Sequence, residues 1–362
     1  MVLPEFDSLP ATLAWDNDSL SIIDQTRLPR DTVIETLTTA FEVWRAIHEL
    51  RVRGAPAIGV AAAYGLCVSM QPSRGLPLEA FRAELIEQAA YLDSARPTAV
   101  NLNWSLKRML RAAGQSRAAD AASLYRVLVE EATQIHREDQ WLCEQIGKHG
   151  LPLITAGCGV LTHCNAGALA TTGLGTATAP MYIAHREGIA FRVYADETRP
   201  LLQGARLTAY ELHQAGIDVT LITDGMAASL MARRKVDVVI VGADRVAANG
   251  DFANKIGTLS LAIASRHFGV PFYVACPSST LDLQTPNGST IVIEERHGDE
   301  VTHLAGRQIA PTGVKVLNPA FDVTPHDLVT GFITERGIIA RPFEANLAAM
   351  FQTQAAAAST AS

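Results

Sequence analysis

Nowhere does this chain carry an uninterrupted apolar run of the roughly 18 residues that a bilayer-spanning helix needs. Cysteine is scarce, and its spacing suggests no pairs: Cys67, Cys143, Cys158, Cys164 and Cys276 are five, an odd number without a Cys-x-x-Cys pair. Such a set fits reduced thiols better than a disulfide framework. Cys158, His163 and Cys164 fall close together, but no second ligand cluster accompanies them, which argues against a zinc site. Excess positive charge is also missing, since 30 Lys and Arg stand against 37 Asp and Glu for a formal net charge of −7. That balance offers no bulk attraction to nucleic acid or an anionic membrane, so an anion must find a local cationic pocket. The stretch from Met1 to Asp16 lacks a basic segment followed by an apolar core, so it does not read as a secretory signal and a cytoplasmic protein is expected.

What is present is an ordinary globular composition, 48% hydrophobic and 19% charged over 362 residues, long enough for two domains. From about residue 152 onward short apolar runs alternate with amphipathic segments. Leu153 to Ala156, Phe191 to Ala195, Val219 to Thr223, Val236 to Val241 and Phe272 to Ala275 read as strands. Helical patterns begin near Gly173, Pro200, Met226 and Asn254. This alternation predicts an α/β fold, a Rossmann-like, doubly wound parallel sheet occupying residues 151–352. The first 150 residues predict a smaller, mostly helical domain opened by a β-hairpin, Thr12 to Trp15 and Ser19 to Asp24 around Asn17-Asp18. Helical patterns follow over residues 30–47, 57–70, 77–95, 100–113 and 118–149. The Ala/Ser/Thr-rich segment 353–362 has no apolar periodicity and is expected to be disordered.

The run Val238-Val239-Ile240-Val241-Gly242-Ala243-Asp244-Arg245 reads as a buried central strand ending on an ionisable group. Open α/β sheets bind ligands just beyond such strand ends, so Asp244 is a candidate for chemistry. Taken alone, it equally fits a turn cap or a partner of Arg245. Arg51-Val52-Arg53-Gly54-Ala55-Pro56 joins two arginines to a turn opening onto a helix, a pattern suited to phosphate, although solvated arginines at a helix start fit as well. Arg96, before Pro97, repeats it. Cys164 lies among small and polar residues after a strand, where a thiol is either activated or an inert filler. Gln203, one turn into the segment opened by Pro200, is placed to reach a sugar hydroxyl or solvent. Asn254-Lys255 is read as opening a helix, with Asn as the cap. Gly173-Leu174-Gly175-Thr176-Ala177-Thr178 matches only part of a dinucleotide fingerprint, because the third glycine is replaced and the strand ends a dozen residues earlier.

Together Arg53-Gly54-Ala55-Pro56-Ala57-Ile58, His163-Cys164-Asn165, Tyr194-Ala195-Asp196-Glu197-Thr198-Arg199-Pro200, Gly242-Ala243-Asp244-Arg245 and Asn254-Lys255-Ile256-Gly257-Thr258 resemble the methylthioribose-1-phosphate isomerase family. The resemblance covers nearly the whole chain, to Leu317-Asn318-Pro319-Ala320-Phe321-Asp322-Val323-Thr324-Pro325. This family is related to the α, β and δ regulatory subunits of the eukaryotic initiation exchange factor and to ribose-1,5-bisphosphate isomerases. It implies conversion of 5-methylthio-α-D-ribose 1-phosphate to 5-methylthio-D-ribulose 1-phosphate in methionine salvage. It further implies Cys164 and Asp244 as the catalytic pair, with substrate contacts from Arg53, Gly54, Ala55, Arg96, Gln203, Asn254 and Lys255. A sugar phosphate as the small-molecule partner, a homodimer, and no metal or other cofactor complete the expectation. The exchange-factor subunits generally lack the Cys/Asp pair, which favours an enzyme over a regulatory subunit. Because the anomeric carbon carries the phosphate, ring opening needs an acid, and Asp244 is expected to be buried and protonated. That requires the charges of Arg245 and Lys255 to be directed at the phosphate.

Overall fold

The computed structural model describes residues 11–96 and 100–350. The predicted tail at 353–362 and the segment Pro97 to Ala99 lie outside the described residues. The chain divides into two compact units, Met1–Trp141 with Gly167–Gly175, and Leu142–Ala166 with Thr176–Ser362. The division falls after Trp141 rather than at Gly150.

The first unit opens with an antiparallel sheet of β1 (Leu13–Asp16), β2 (Ser19–Ile23) and β3 (Ile34–Leu37). Asn17 and Asp18, with φ of 48° and 59°, make the left-handed two-residue turn that a tight hairpin requires, as the sequence predicts. The third strand interrupts what reads as one helical stretch over 30–47. β-Branched Ile34 and Thr36 favour extended backbone, and helix α1 (Ala40–His48) starts only where Thr39 and Glu42 form a reciprocal capping box. Helices α2 (Ala55–Met70), α3 (Leu78–Asp93), α4 (Val100–Gln115) and α5 (Ala121–Gly150) follow close to their predicted positions. α2 is buried on every side from Ala57 to Met70 and packs against α1, α3 and α4, so it is the axis of this unit. The segment Gly167–Gly175 joins the same unit through buried polar contacts. Thr12 Oγ1 and Gln25 Nε2 donate to the carbonyls of Ala168 and Leu169, each at 2.7 Å, and Thr172 donates N–H and Oγ1 to Asp139 of α5.

The second unit is α/β. Its strands β4 (Gly159–Thr162), β5 (Arg192–Asp196), β6 (Val219–Ile222) and β7 (Val238–Val241) alternate with helices α6 (Ala179–Arg186), α7 (Ala209–Gln214) and α8 (Ala227–Ala232). Then come β8 (Arg245–Ala247), β9 (Phe252–Lys255), α9 (Thr258–Phe268), β10 (Phe272–Ala275) and β11 (Leu281–Asp282). A short α10 (Asp299–Thr302), the ribbon β12 (His303–Leu304) and β13 (Arg307–Gln308), and β14 (Phe321–Thr324), β15 (Gly331–Thr334) and β16 (Gly337–Ile339) close the unit. The main sheet has the order β16-β15-β10-β7-β4-β5-β6, parallel except for the β15–β16 hairpin, and β11-β8-β9-β14 form a second sheet. The predicted doubly wound fold is present, with one strand displaced. Leu153 to Ala156 is not a strand, because Pro152 starts a 3-10 turn over Leu151–Leu153 and the first strand is Gly159–Thr162, after a turn at Gly157.

β4 and β7 are buried along their whole length, as sheet-centre strands covered on both faces must be. Beside β7 and β10 an aromatic cluster closes the core, with Phe332 centred 6.4 Å from Phe252 and 4.9 Å from Phe343, both edge to face. Phe332→Ala is expected to destabilise the protein by about 3–5 kcal/mol through the cavity it leaves. A denaturant midpoint displaced by less than about 1 kcal/mol would show that the cluster is not a closed core.

A candidate active site at the carboxyl edge of the sheet

β4 is the first strand of the main sheet in sequence and has β5 on one side and β7 on the other, which makes it the point where the winding reverses. Ligands of open α/β sheets bind beyond the carboxyl ends at such a point. Val160 pairs with Val238 and Leu161 with Val239. Continued beyond the strands, this parallel register brings Cys164 level with Gly242, with Asp244 two residues further. The two strand exits also touch, since a Cβ placed on Gly242 would lie 2.6 Å from the Cβ of Ala166.

Cys164 differs from the other cysteines. Cys67, Cys143, Cys158 and Cys276 are buried, and burial pushes the thiols of Cys67, Cys158 and Cys276 up from their ordinary value. Cys164 is half-buried and adopts φ of 64°, in the left-handed region.

The neighbouring His163 turns to the other side of the strand. Its Nδ1 lies 3.0 Å from Asp196 Oδ2, its Nε2 2.9 Å from the carbonyl of Ile256, and both side chains are about 1–2% exposed. Two acceptors facing two ring nitrogens favour the doubly protonated ring. Burial alone would lower the His163 pKa, but the Asp196 carboxylate and the Ile256 carbonyl outweigh it and raise it. Burial raises the Asp196 carboxyl, against the pull of His163. His163, Asp196 and Asp224 bring ligand atoms within 4.8 Å of one another. Asp224 accepts the N–H groups of Thr198 and Arg199 at 2.7 and 2.8 Å, while Asp196 Oδ1 is buried with no hydrogen-bond partner among the described residues.

The remaining predicted residues of this unit are placed as follows. Asp244 is exposed, not buried, because the chain turns outward from β7 into the β8–β9 hairpin, where the Asp244 N–H donates to the Ala253 carbonyl at 2.9 Å. Arg245 pairs with Asp282 at 3.4 Å. Asn254 and Lys255 do not open a helix. They end β9, paired with Asp322 and Phe321 of β14, and are buried. Asn254 Nδ2 donates to Thr258 Oγ1 at 3.0 Å, while Lys255 Nζ donates to the Ala320 carbonyl at 2.9 Å and sits 4.3 Å from the Phe321 ring centre. Helix α9 starts at Thr258, and Asp322 caps it from β14 by accepting the N–H groups of Gly257 and Leu259. Gln203 is buried just before a π-helical turn, Gly204–Thr208, and its Oε1 has no hydrogen-bond partner among the described residues.

Arg53, Gly54, Ala55 and Arg96 belong to the first unit. Gly54 caps α2 with φ of 91° and no side-chain cap, and Pro56 sits in the first turn. A Cβ on Gly54 would fall 2.4 Å from the Ala170 carbonyl oxygen, so only glycine fits. Arg53 and Arg96 are half-buried. Arg51 is committed elsewhere, to Glu35 at 2.9 Å and Glu49 at 2.6 Å.

His163, Asp196, Thr198 and Asp322 fall within the motifs quoted from the sequence, but their pairing and supporting contacts, and those of Asp224, are not identified there. The signal for the pair is the parallel register, in which Thr162 faces Ala195 and His163 therefore faces Asp196. Both shifts in the pair leave the folded protein holding more protons than the unfolded chain. The imidazole's contribution is therefore complete below its unfolded value and lost as pH rises through the raised one, whereas the raised carboxyl gives up its contribution at lower pH, as pH rises from the ordinary carboxylate value through its own raised one. In ring-nitrogen NMR, His163 is expected to titrate above the ordinary 6.5. A ring titrating at or below that value would remove the ion pair from the account.

Comparison with known proteins places these features in context. The family described as Initiation factor 2 subunit family matches residues 51–341. The chain is 53% identical over 340 residues to a protein of Bacillus cereus named 5-deoxyribose 1-phosphate isomerase, covering 94% of this chain and 98% of that one. It is 51% identical over 347 residues to a Bacillus pumilus protein named methylthioribose-1-phosphate isomerase, covering 96% and 98%. The crystal structure of 5-methylthioribose 1-phosphate isomerase from Pyrococcus horikoshii OT3 superposes with a TM-score of 0.91 at 43% identity, covering 95% of this chain and 96% of that chain.

Proposed function

Because the chain belongs to the Initiation factor 2 subunit family, we propose that it is an aldose–ketose isomerase acting on ribose 1-phosphates that bear an uncharged group at C5. The preferred substrate in this proposal is 5-methylthio-α-D-ribose 1-phosphate, converted to 5-methylthio-D-ribulose 1-phosphate in methionine salvage. The carrying observation is the placement of Cys164 and the Asp244 segment at adjoining carboxyl ends of the strands that flank the sheet's switch point. Relatives named for 5-deoxyribose 1-phosphate and for methylthioribose 1-phosphate share a sugar whose only charged group is at C1. A 1,5-bisphosphate would need a second cationic pocket at C5.

In this proposal Arg53 and Arg96 bind the phosphate, helped by the amide groups at the uncapped start of α2. Gln203, Asn254 and Lys255 contact the sugar. Asp244 protonates the ring oxygen as the bond between it and C1 breaks, and C1 becomes electrophilic beside the phosphate. Since the fold leaves Asp244 exposed, its desolvation comes with the bound sugar. Hydrogen then moves from C2 to C1. Either Cys164 takes the C2 proton and an enediol is reprotonated at C1, or hydride passes directly and the thiol stabilises the developing charge. In both routes the C2 hydroxyl gives its proton to the carboxylate that Asp244 became in the first step, which restores the acid, and C2 becomes the ketone. Retention of a C2 deuterium at C1 marks hydride transfer, and its loss to solvent marks the enediol.

NMR of purified protein with 5-methylthioribose 1-phosphate is expected to show the ketose forming. Discrimination against the 5-deoxy sugar should be no larger than about 10–200-fold, the range for a small apolar difference. Absence of product from both sugars would refute the proposal. Cys164→Ser and Asp244→Asn should each lower turnover by about 10² or more with folding intact, and near-normal turnover in either would remove its assigned role. Arg53→Ala should raise KM more than it lowers kcat, because a remote phosphate is held in ground and transition states alike. A fall in kcat at constant KM would contradict that assignment.

A further inference from the structure

Cys164 keeps a backbone conformation that residues with side chains seldom adopt, and it persists because both of its peptide groups are fixed. Its N–H donates to Thr198 Oγ1 at 2.8 Å, and its carbonyl accepts from Thr208 Oγ1 at 2.5 Å. Both threonines are buried, 0% and 1% exposed. The single proton of each hydroxyl is already assigned. Thr198 donates to the Asp196 carbonyl at 3.1 Å, and Thr208 donates to Cys164 itself. Thr208 Oγ1 also accepts from Asn165 Nδ2 at 3.2 Å, and that amide is anchored on the fully buried Glu211 at 3.1 Å. Neither hydroxyl keeps a proton for a substrate.

The clamp is braced in turn. Thr198 has φ of 65°, an outlier for a β-branched residue, and Asp224 holds the N–H groups on either side of its carbonyl, those of Thr198 and Arg199. Thr208 ends the π-helical turn, a distortion frequent at functional sites. Two strained points and a widened helical turn thus converge on the main chain of one residue.

We propose that Thr198 and Thr208 are positioning residues that hold the Cα–Cβ bond of Cys164 in the one direction from which its thiol reaches the sugar, an inference that rests on the role given to Cys164 above. A left-handed cysteine released from either hydroxyl relaxes toward ordinary backbone and carries its sulfur away, and small misplacements of a reacting group reduce turnover steeply. The test uses the full chain with 5-methylthioribose 1-phosphate, and iodoacetamide as the thiol probe. Thr198→Val and Thr208→Val, matched in shape but lacking the hydroxyl, are expected to lower kcat at least ~10-fold at unchanged KM. Both should also change the rate of Cys164 alkylation followed by mass spectrometry. Thr198→Ser and Thr208→Ser restore the hydroxyl and should recover both readings. Valine variants with parental kcat and parental alkylation overturn the inference. If the valine variants do not fold, Asp224→Asn carries the test: lower kcat and altered alkylation are expected, and unchanged values overturn it. A Cys164→Ser variant that retains turnover would instead overturn the proposed reaction, while the alkylation readings, which need no turnover, still judge the clamp.

Discussion

The parallel hydrogen-bond ladder that locks β4 between β5 and β7 is the constraint on which this structure turns. Thr162 lies opposite Ala195, and Leu161 opposite Val239. With about 3.3 Å of rise per residue in each strand, three carboxyl ends finish nearly level. From those ends come His163 and Cys164, Asp196 and Thr198, and Gly242 with Asp244. A slip of one residue in the β4–β5 ladder would separate His163 from Asp196, and one in the β4–β7 ladder would move Cys164 out of level with Gly242.

How far the sequence reveals this depends on the range of the interaction that decides each element. Strands at Arg192–Asp196, Val219–Ile222, Val238–Val241 and Phe272–Ala275 are legible from short apolar runs, and the Asn17-Asp18 turn from its local chemistry. Asn254 misleads for the opposite reason. It has the composition of a helix cap, but its conformation is settled by pairing with Asp322, far along the chain, and the cap of α9 comes from that same Asp322. The exposure of Asp244 follows from the outward turn into β8, which an apolar strand does not announce. The return of Gly167–Gly175 to the first unit rests on contacts from Thr12, Gln25 and Asp139, and no break in the sequence marks it. Cys164 and Asp244 are legible as ionisable groups at strand ends, whereas the hydroxyls and carboxylates that support them are visible only once the register is known.

Why a protein should bury a histidine–carboxylate pair at such a place is a question of geometry more than of stability. Removing two charges from water costs several kcal/mol per ion, and an apolar replacement of similar volume is often as stable or more so. Here the pair makes good contacts, yet Asp196 Oδ1 stays buried without a hydrogen-bond partner among the described residues, which costs stability. What the pair does is join three separate pieces of chain. His163 leaves β4, Asp196 ends β5, and the Ile256 carbonyl belongs to the turn between β9 and α9. An apolar cluster would tolerate these pieces sliding by a fraction of an ångström, whereas two directed hydrogen bonds to one planar ring do not. Cys164 is the next residue after that ring and Thr198 lies two beyond Asp196, so the registration reaches Cys164 and the Thr198 side of the clamp within two residues.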